Sequence, residues 1–264
     1  MKHILSFFLV CVLALTACSG TAQTQTQDQV VAEVVSTIKQ ADSQPVGMKM
    51  KGEMDLGLAQ STMDLTADKE ANTHMKMSVT MAMLGMTNAQ DVEFYVSGGH
   101  GYVKQEGGGW QETEGLSKET LMKNTMLPGK DQVKELEDQL KKAKMTEKDG
   151  AYVFDMELDF KEFSKSTGAQ SQQALPDVEN AKLPVKMTMK FDQKSYRLIG
   201  LSFDGTEAMK EQVTDSLGLS SDGMDSMEGM GMSPDDYKMV GNFDIEYQDD
   251  NFKLAVPEGI PAAR

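Results

Sequence analysis

Met48-Lys49-Met50-Lys51-Gly52-Glu53-Met54-Asp55-Leu56-Gly57-Leu58 decides the fold of this chain. Its even positions, Met48, Met50, Met54, Leu56 and Leu58, are apolar, and Lys49, Lys51, Glu53 and Asp55 between them are charged. A period of two sends alternate side chains to opposite faces, so this stretch reads as a strand with one face buried and one in water. The alternation recurs at Met63, Leu65 and Ala67, at Met75, Met77, Val79, Met81 and Met83, and at Val92, Phe94 and Val96. Successive segments of this kind predict antiparallel hairpins. The glycine turns Ser97-Gly98-Gly99-His100-Gly101 and Gly107-Gly108-Gly109 bracket a short strand, Tyr102 to Glu106, and Trp110 opens the next segment.

Helical periods flank and interrupt these strands. Asp28 starts a helix with the stripe Val30, Val31, Val34, Val35 and Ile38, which Pro45 and Gly47 stop. Ser117 caps a short helix to about Met126, Pro128-Gly129 breaks it, and Val133, Leu136, Leu140 and Ala143 mark a second helix whose other face is charged. Alternation returns with Tyr152, Phe154, Met156 and Leu158, followed by a short helical link at Phe160 and Phe163 and a polar, weakly structured stretch, 164–181. Leu183, Val185, Met187, Met189 and Phe191 form the next strand, which turns at 192–195 into Ile199, Leu201 and Phe203. Tyr237, Met239, Phe243, Ile245 and Tyr247 give the last long strand, and Phe252 to Val256 a short terminal one. Residues 206–234, rich in Gly, Ser, Asp and Met, read as a mobile inserted loop.

The N-terminus carries an address. Lys2 and His3 precede an apolar run, Ile4 to Leu15, too short to span a bilayer, and Leu15-Thr16-Ala17-Cys18 resembles the lipobox of bacterial lipoproteins. The resemblance implies removal of residues 1–17 by cleavage between Ala17 and Cys18, and a diacylglyceryl (and palmitate) modification of Cys18. The alternatives are an ordinary secretory signal or a buried N-terminal helix. Residues 18–27 then form the lipidated cysteine and a Gln/Thr-rich tether, with a reach of roughly 17 Å as a coil, and 28–258 form one domain. The implied location is extracytoplasmic, at the cell membrane, or at the outer membrane of a two-membrane cell. Cys11 leaves with the peptide, so an internal disulfide or a cysteine metal cluster is excluded.

Composition narrows the function classes. The 264 residues hold 41 acids against 26 bases, a net charge of −15; loss of residues 1–17 removes one base, Lys2, and no acid, giving −16. Such a chain is repelled by nucleic acid and by anionic headgroups, so attachment to a membrane rests on the lipid. The mature chain has two histidines, His74 on the polar phase of a strand and His100 in a glycine turn, both read as solvent-exposed. No hydrolase, metalloprotease, phosphate-loop or calcium-loop spacing is present, so the sequence points to a non-enzymatic protein without a cofactor.

Antiparallel strands apolar on one face must curl over something. With the lipobox and the Met-x-Met strands, this order of elements resembles uncharacterised Met-rich bacterial lipoproteins with the fold of the LolA, LolB and LppX carriers. The resemblance implies an α+β fold, a curved antiparallel sheet (an incomplete β-barrel) covered by helices around an apolar cavity for acyl chains. The residues placed on that cavity are Met48, Met50, Met54, Met75, Met77, Met81, Met83, Phe154, Met187, Met189, Phe191, Phe203 and Phe243. Methionine is unbranched and polarizable, so a surface of it repacks around ligands of different shape; the same residues equally serve as a filled β core. Three functions follow: binding of a lipid, another apolar ligand or an acylated partner; an interaction module with a filled core and a protein partner the sequence does not name; and a Cu(I) site at Met224, Met227, Met230 and Met232, whose thioethers are soft ligands. The lipobox reading predicts that the exported protein gains lipid mass and resists thiol reagents at Cys18; free-thiol labelling without added lipid overturns it.

Overall fold

With one exception, the alternating segments pair into a single antiparallel sheet of eleven strands. The computed structural model describes residues 25–40, 46–70, 72–83, 86–123, 132–160, 162–163, 183–216 and 238–261. The strands are β1 Met48–Asp55, β2 Ala59–Ala67, β3 Thr73–Met83, β4 Met86–Ser97, β5 His100–Gln105, β6 Gln111–Thr113, β7 Lys144–Lys148, β8 Ala151–Asp159, β9 Pro184–Asp192, β10 Leu198–Asp204 and β11 Val240–Tyr247. The described helices are α1 Gln27–Gln40, α2 Lys118–Lys123, α3 Val133–Lys142 and α4 Thr206–Ser216.

The spatial order is β6-β5-β4-β3-β2-β1-β11-β10-β9-β8-β7. The chain meanders from β1 to one edge, crosses through α2 and α3 to the other edge, and meanders back until β11 lies beside β1. Those two strands pair in register from Met48↔Tyr247 to Asp55↔Val240. β1 therefore defines two ends of the sheet: an upper end at Met48 and a lower end at Asp55, about 24 Å apart at strand rise.

One rung shows why the two halves join. Phe154, Met189, Leu201, Phe243, Gly52, Met63, Met77 and Val92 are successive cross-strand partners, and all lie on one face. Gly52 lies in the middle because the Phe243 ring covers it: a Cβ there would meet Phe243 Cδ1 and Cε1. One rung lower, the Phe203 ring covers Gly241 in the same way. The two rings lie 6.5 Å apart, and Phe163 adds a third at 4.9 Å from Phe203.

Helices cover part of this face. Val30, Val31, Val34 and Val35 of α1 and Leu136 and Leu140 of α3 are buried in the same core as Met50, Phe154 and Phe191. α1 packs on α3, α3 on β8, and α4 on β9. Gln27 Nε2 donates to the carbonyls of Leu140 and Ala143 at 2.7 and 2.9 Å, satisfying groups that the end of α3 leaves without helical partners. Gln25 Oε1 accepts hydrogen bonds from Tyr152 and Tyr196, both at 2.9 Å, whose rings stack 6.0 Å apart. The chain is thus fixed to the body from Gln25 onward, before the Asp28 start read from sequence.

Three expectations are corrected, and one strand appears that the sequence pattern did not show. Helical cover is limited among the described residues and concentrates over β8 and β9. Lys144-Met145-Thr146-Glu147-Lys148 is the edge strand β7; a single apolar residue hides its alternation, and lysines suit an edge that must not pair further. The predicted loop 206–234 begins as a helix, α4, started by Asp204 Oδ1 accepting the Thr206 N–H at 3.0 Å and held by fully buried Ala208. Phe252 to Val256 belongs to no strand.

Gly241→Ala should destabilise the protein by about 1–3 kcal/mol, because the new methyl drives the Phe203 ring from a packed core. Gly109→Ala, with open space around its Cβ position, is the control. Thermal or denaturant unfolding of the two variants checks this.

Candidate ligand-binding face

Burial divides the methionine face into a closed region and a half-open one. Met48, Met50, Met75, Phe154, Met187, Met189, Phe191, Phe203 and Phe243 are all buried and share one core with the helices. At the lower end of β1 to β4 the cover thins. Met54, Met63, Met77, Val79 and Val92 are half-buried, and Met81 is 39% exposed, which makes it an exposed large apolar side chain in the middle of a sheet.

Register brings these six together. Met63 pairs with Met77, and Met77 with Val92; one rung below, Met54 pairs with Ser61, Ser61 with Val79, and Val79 with Gln90. Met81 pairs with Ala59 and Asn88. At the upper end of the same strands, Leu116 fills the space above Gly101 and Leu121 is buried, so closure there is complete. The result is an apolar patch three inter-strand spacings wide, about 14 Å, open at the lower end.

Of the residues read from sequence as cavity-lining, Met54, Met77 and Met81 lie on this open patch, and nine are packed beneath or beside the helices. The Met83 side chain is outside the described residues, as are Met224, Met227, Met230 and Met232, and Ala17 and Cys18. Met63, Val79 and Val92 complete the patch and were not singled out as ligand-facing. Their alternation places them on the apolar face, but which rungs the helices leave uncovered is not encoded in that pattern. Among the described residues, no group of three or more His, Cys, Asp or Glu side chains is placed to hold a metal, and no helix is long and apolar enough to cross a membrane.

The opposite face carries a second, polar-aromatic cluster. His74 is not free in solvent as its polar phase suggested: its side chain is 17% exposed and its Nε2 lies 3.1 Å from Glu93 Oε2. Lys104 and Lys76 approach the same carboxylate at 3.4 and 3.6 Å. Burial alone would raise the Glu93 carboxyl, but the His74 hydrogen bond and the two lysine charges outweigh it and hold it below the ordinary glutamate value. His100 is exposed, with Nδ1 2.7 Å from Glu112 Oε1. Trp110 is buried: it packs with Tyr95 and Tyr102 on this outer face, and Leu254 and Ile260 of the C-terminal segment cover the cluster. That segment is pinned where Trp110 Nε1 donates to the Glu258 carbonyl at 3.1 Å and where Asp68 Oδ2 accepts the Leu254 N–H at 3.1 Å.

Comparison with known proteins adds a family and a distant shape. A model described as "Family of unknown function (DUF6612)" matches residues 26–212, which takes in β1 to β10 and ends before β11. None of the curated proteins compared matches the sequence. Among solved structures, the crystal structure of LprF from Mycobacterium bovis is similar over 88% of this chain and 96% of its own, at 12% identity and a TM-score of 0.40.

Asp68 makes the C-terminal segment sensitive to acid. Burial works to raise its pKa, but hydrogen bonds from the Asn72 side chain and from the backbone of Leu254, Asn72 and Glu70 prevail and hold it below 3.8. A carboxyl with a lowered folded-state pKa stabilises fully above its unfolded value and loses that contribution as pH falls through the folded one. Fluorescence of Trp110, the single tryptophan, should therefore report release of the segment only below the ordinary aspartate range. Asp68→Asn should shift that signal toward the released state at neutral pH and cost about 1–3 kcal/mol.

Proposed function

The chain belongs to the DUF6612 family of unknown function, and we propose that it is a non-enzymatic, extracytoplasmic lipoprotein that binds the apolar part of an amphiphile on its half-open methionine face. The observation that supports this reading is the patch formed by Met54, Met63, Met77, Val79, Met81 and Val92, an apolar surface left partly in water at the lower end of β1 to β4. Exposed apolar patches of this kind commonly mark ligand or partner sites. Methionine suits the role because it adapts its shape without loss of apolar contact.

The anchor supplies the location. Cys18 carries the lipid, and with Gln25 fixed to Tyr152 and Tyr196 only residues 19–24 lie between anchor and body, a reach of about 25 Å when stretched. The protein therefore works within a few nanometres of the membrane that holds it. The dense packing of Met50, Met187 and Met189 under helices favours a second reading, an interaction module with a filled core whose partner docks on its charged exterior.

A titration with a neutral apolar dye such as Nile red separates the two readings. The binding reading expects saturable uptake, one site per chain, weakened about tenfold or more by Met81→Lys, since a charge next to the apolar ligand must be desolvated. Unchanged unfolding temperature shows that the variant is folded. Absence of saturable uptake, or uptake indifferent to Met81→Lys, leaves the interaction module.

A further inference from the structure

Where the sheet is open to water, its apolar side chains are mostly of the one kind that a mild oxidant makes polar. Among the described residues methionine supplies 6 of the 36 buried apolar side chains, but four of the six on the open patch, Met54, Met63, Met77 and Met81. Apolarity alone does not account for that contrast, since leucine or isoleucine is equally apolar. What sets methionine apart is a thioether sulfur whose lone pair accepts an oxygen atom.

Access divides these sulfurs into two sets. Met81 is 39% exposed and Met54, Met63 and Met77 are half-buried, whereas Met50, Met75, Met187, Met189 and Met239 are at most 5% exposed. The accessible set lies together: Met63 faces Met77 across β2 and β3, Met54 sits one strand away on β1, and Met81 follows Met77 on the same phase. Between Lys76 and Asp91 the chain has no charged residue, so neutral side chains alone set the polarity of this hairpin. A strong new dipole there changes what the surface accepts.

We infer that Met54, Met63, Met77 and Met81 form a peroxide-reactive site whose oxidation switches off binding at the open face. The inference rests on the apolar-face reading above and adds its regulation. In each event the sulfur lone pair attacks one oxygen of hydrogen peroxide, and the S–O bond forms as the O–O bond breaks. The proton on the transferred oxygen passes to the departing hydroxide, which leaves as water; the thioether is oxidised by two electrons and the peroxide reduced by two. The sulfoxide is polar, so an apolar occupant must strip water from it, and affinity falls. The buried set is shielded, so the sheet persists. A methionine sulfoxide reductase reverses the change with a dithiol, which becomes a disulfide while the oxygen departs as water.

The test uses the mature chain with Cys18→Ser, which removes the one thiol that competes for oxidant. It is exposed to hydrogen peroxide, mapped by peptide mass spectrometry, and titrated with Nile red before and after. Oxygen should appear on Met54, Met63, Met77 and Met81 at least about tenfold faster than on Met50, Met75, Met187, Met189 and Met239. Dye affinity should fall about tenfold or more while thermal unfolding stays cooperative, and treatment with reductases for both sulfoxide epimers should restore it. With Met54→Leu, Met63→Leu, Met77→Leu and Met81→Leu combined, peroxide should leave the affinity at that variant's own starting value. Should the variant bind no dye, the wild type decides, because recovery of its affinity must track loss of oxygen from the patch peptides. If buried and patch methionines oxidise at one rate, the inference is overturned. If the patch is oxidised and affinity holds, or the leucine variant loses affinity as the wild type does, the switch fails and the apolar face stands. If the dye does not bind before peroxide is added, both readings fall.

Discussion

β1 and β11 come from opposite ends of the folded chain, yet they pair residue for residue from Met48↔Tyr247 to Asp55↔Val240. All other neighbours in the sheet are consecutive in sequence, most of them joined by short turns and two, β8 with β9 and β10 with β11, by longer connections. This one pairing instead closes a loop of nearly the whole domain, whose entropy is repaid only by what the seam packs. The packing is specific. Gly52 and Gly241 withhold side chains where the Phe243 and Phe203 rings lie, so two halves with different covers meet on a continuous apolar face. Without that seam there would be two meanders, each with an apolar face and an open edge.

The seam also sets up the asymmetry on which the functional reading depends. The half from β7 to β11 receives α3 on β8 and α4 on β9, with α1 on α3. The half from β1 to β6 is closed at its upper end by Leu116 and Leu121 and thins toward the lower end. On the outside, Leu254 and Ile260 of the C-terminal segment pack on Tyr95, Tyr102 and Trp110, so this aromatic surface is already occupied. The described chain begins at Gln25, held beside Tyr152 and Tyr196 at the upper end, so Gln25 and the half-open methionines lie at opposite ends of the strands.

Much of the sheet was legible because period-two alternation is a local property of half-buried strands. Each long strand was visible from its own residues, with Met48 to Asp55 the clearest. β7 was not, since an edge strand with one apolar residue, Met145, has no buried stripe to display. α4 was masked by the glycines and aspartates that follow it, although Thr206 to Glu211 are reasonable helix formers once Asp204 starts the turn. The candidate face was half legible: Met54, Met77 and Met81 carry the right phase, as do the nine residues that turned out buried. Sequence marks the face of a strand, not the rung at which a helix ends. His74 was misjudged for a related reason, because its polar phase gives no sign of Glu93 across the hairpin or of Trp110 beside it.

Local sequence is enough to specify the antiparallel strands, their apolar methionine side, the acidic balance and the absence of any cysteine after Cys18. These follow from periodicity and composition, which need no partner to be expressed. Tertiary contacts are needed to join β11 to β1, to hold Gln25 against Tyr152 and Tyr196, and to leave the lower-end methionines of β1 to β4 half-buried while those beside them are closed over. Each of these depends on register between distant segments, and register is fixed by which side chains fit together across the seam, a relation that no local stretch of chain contains.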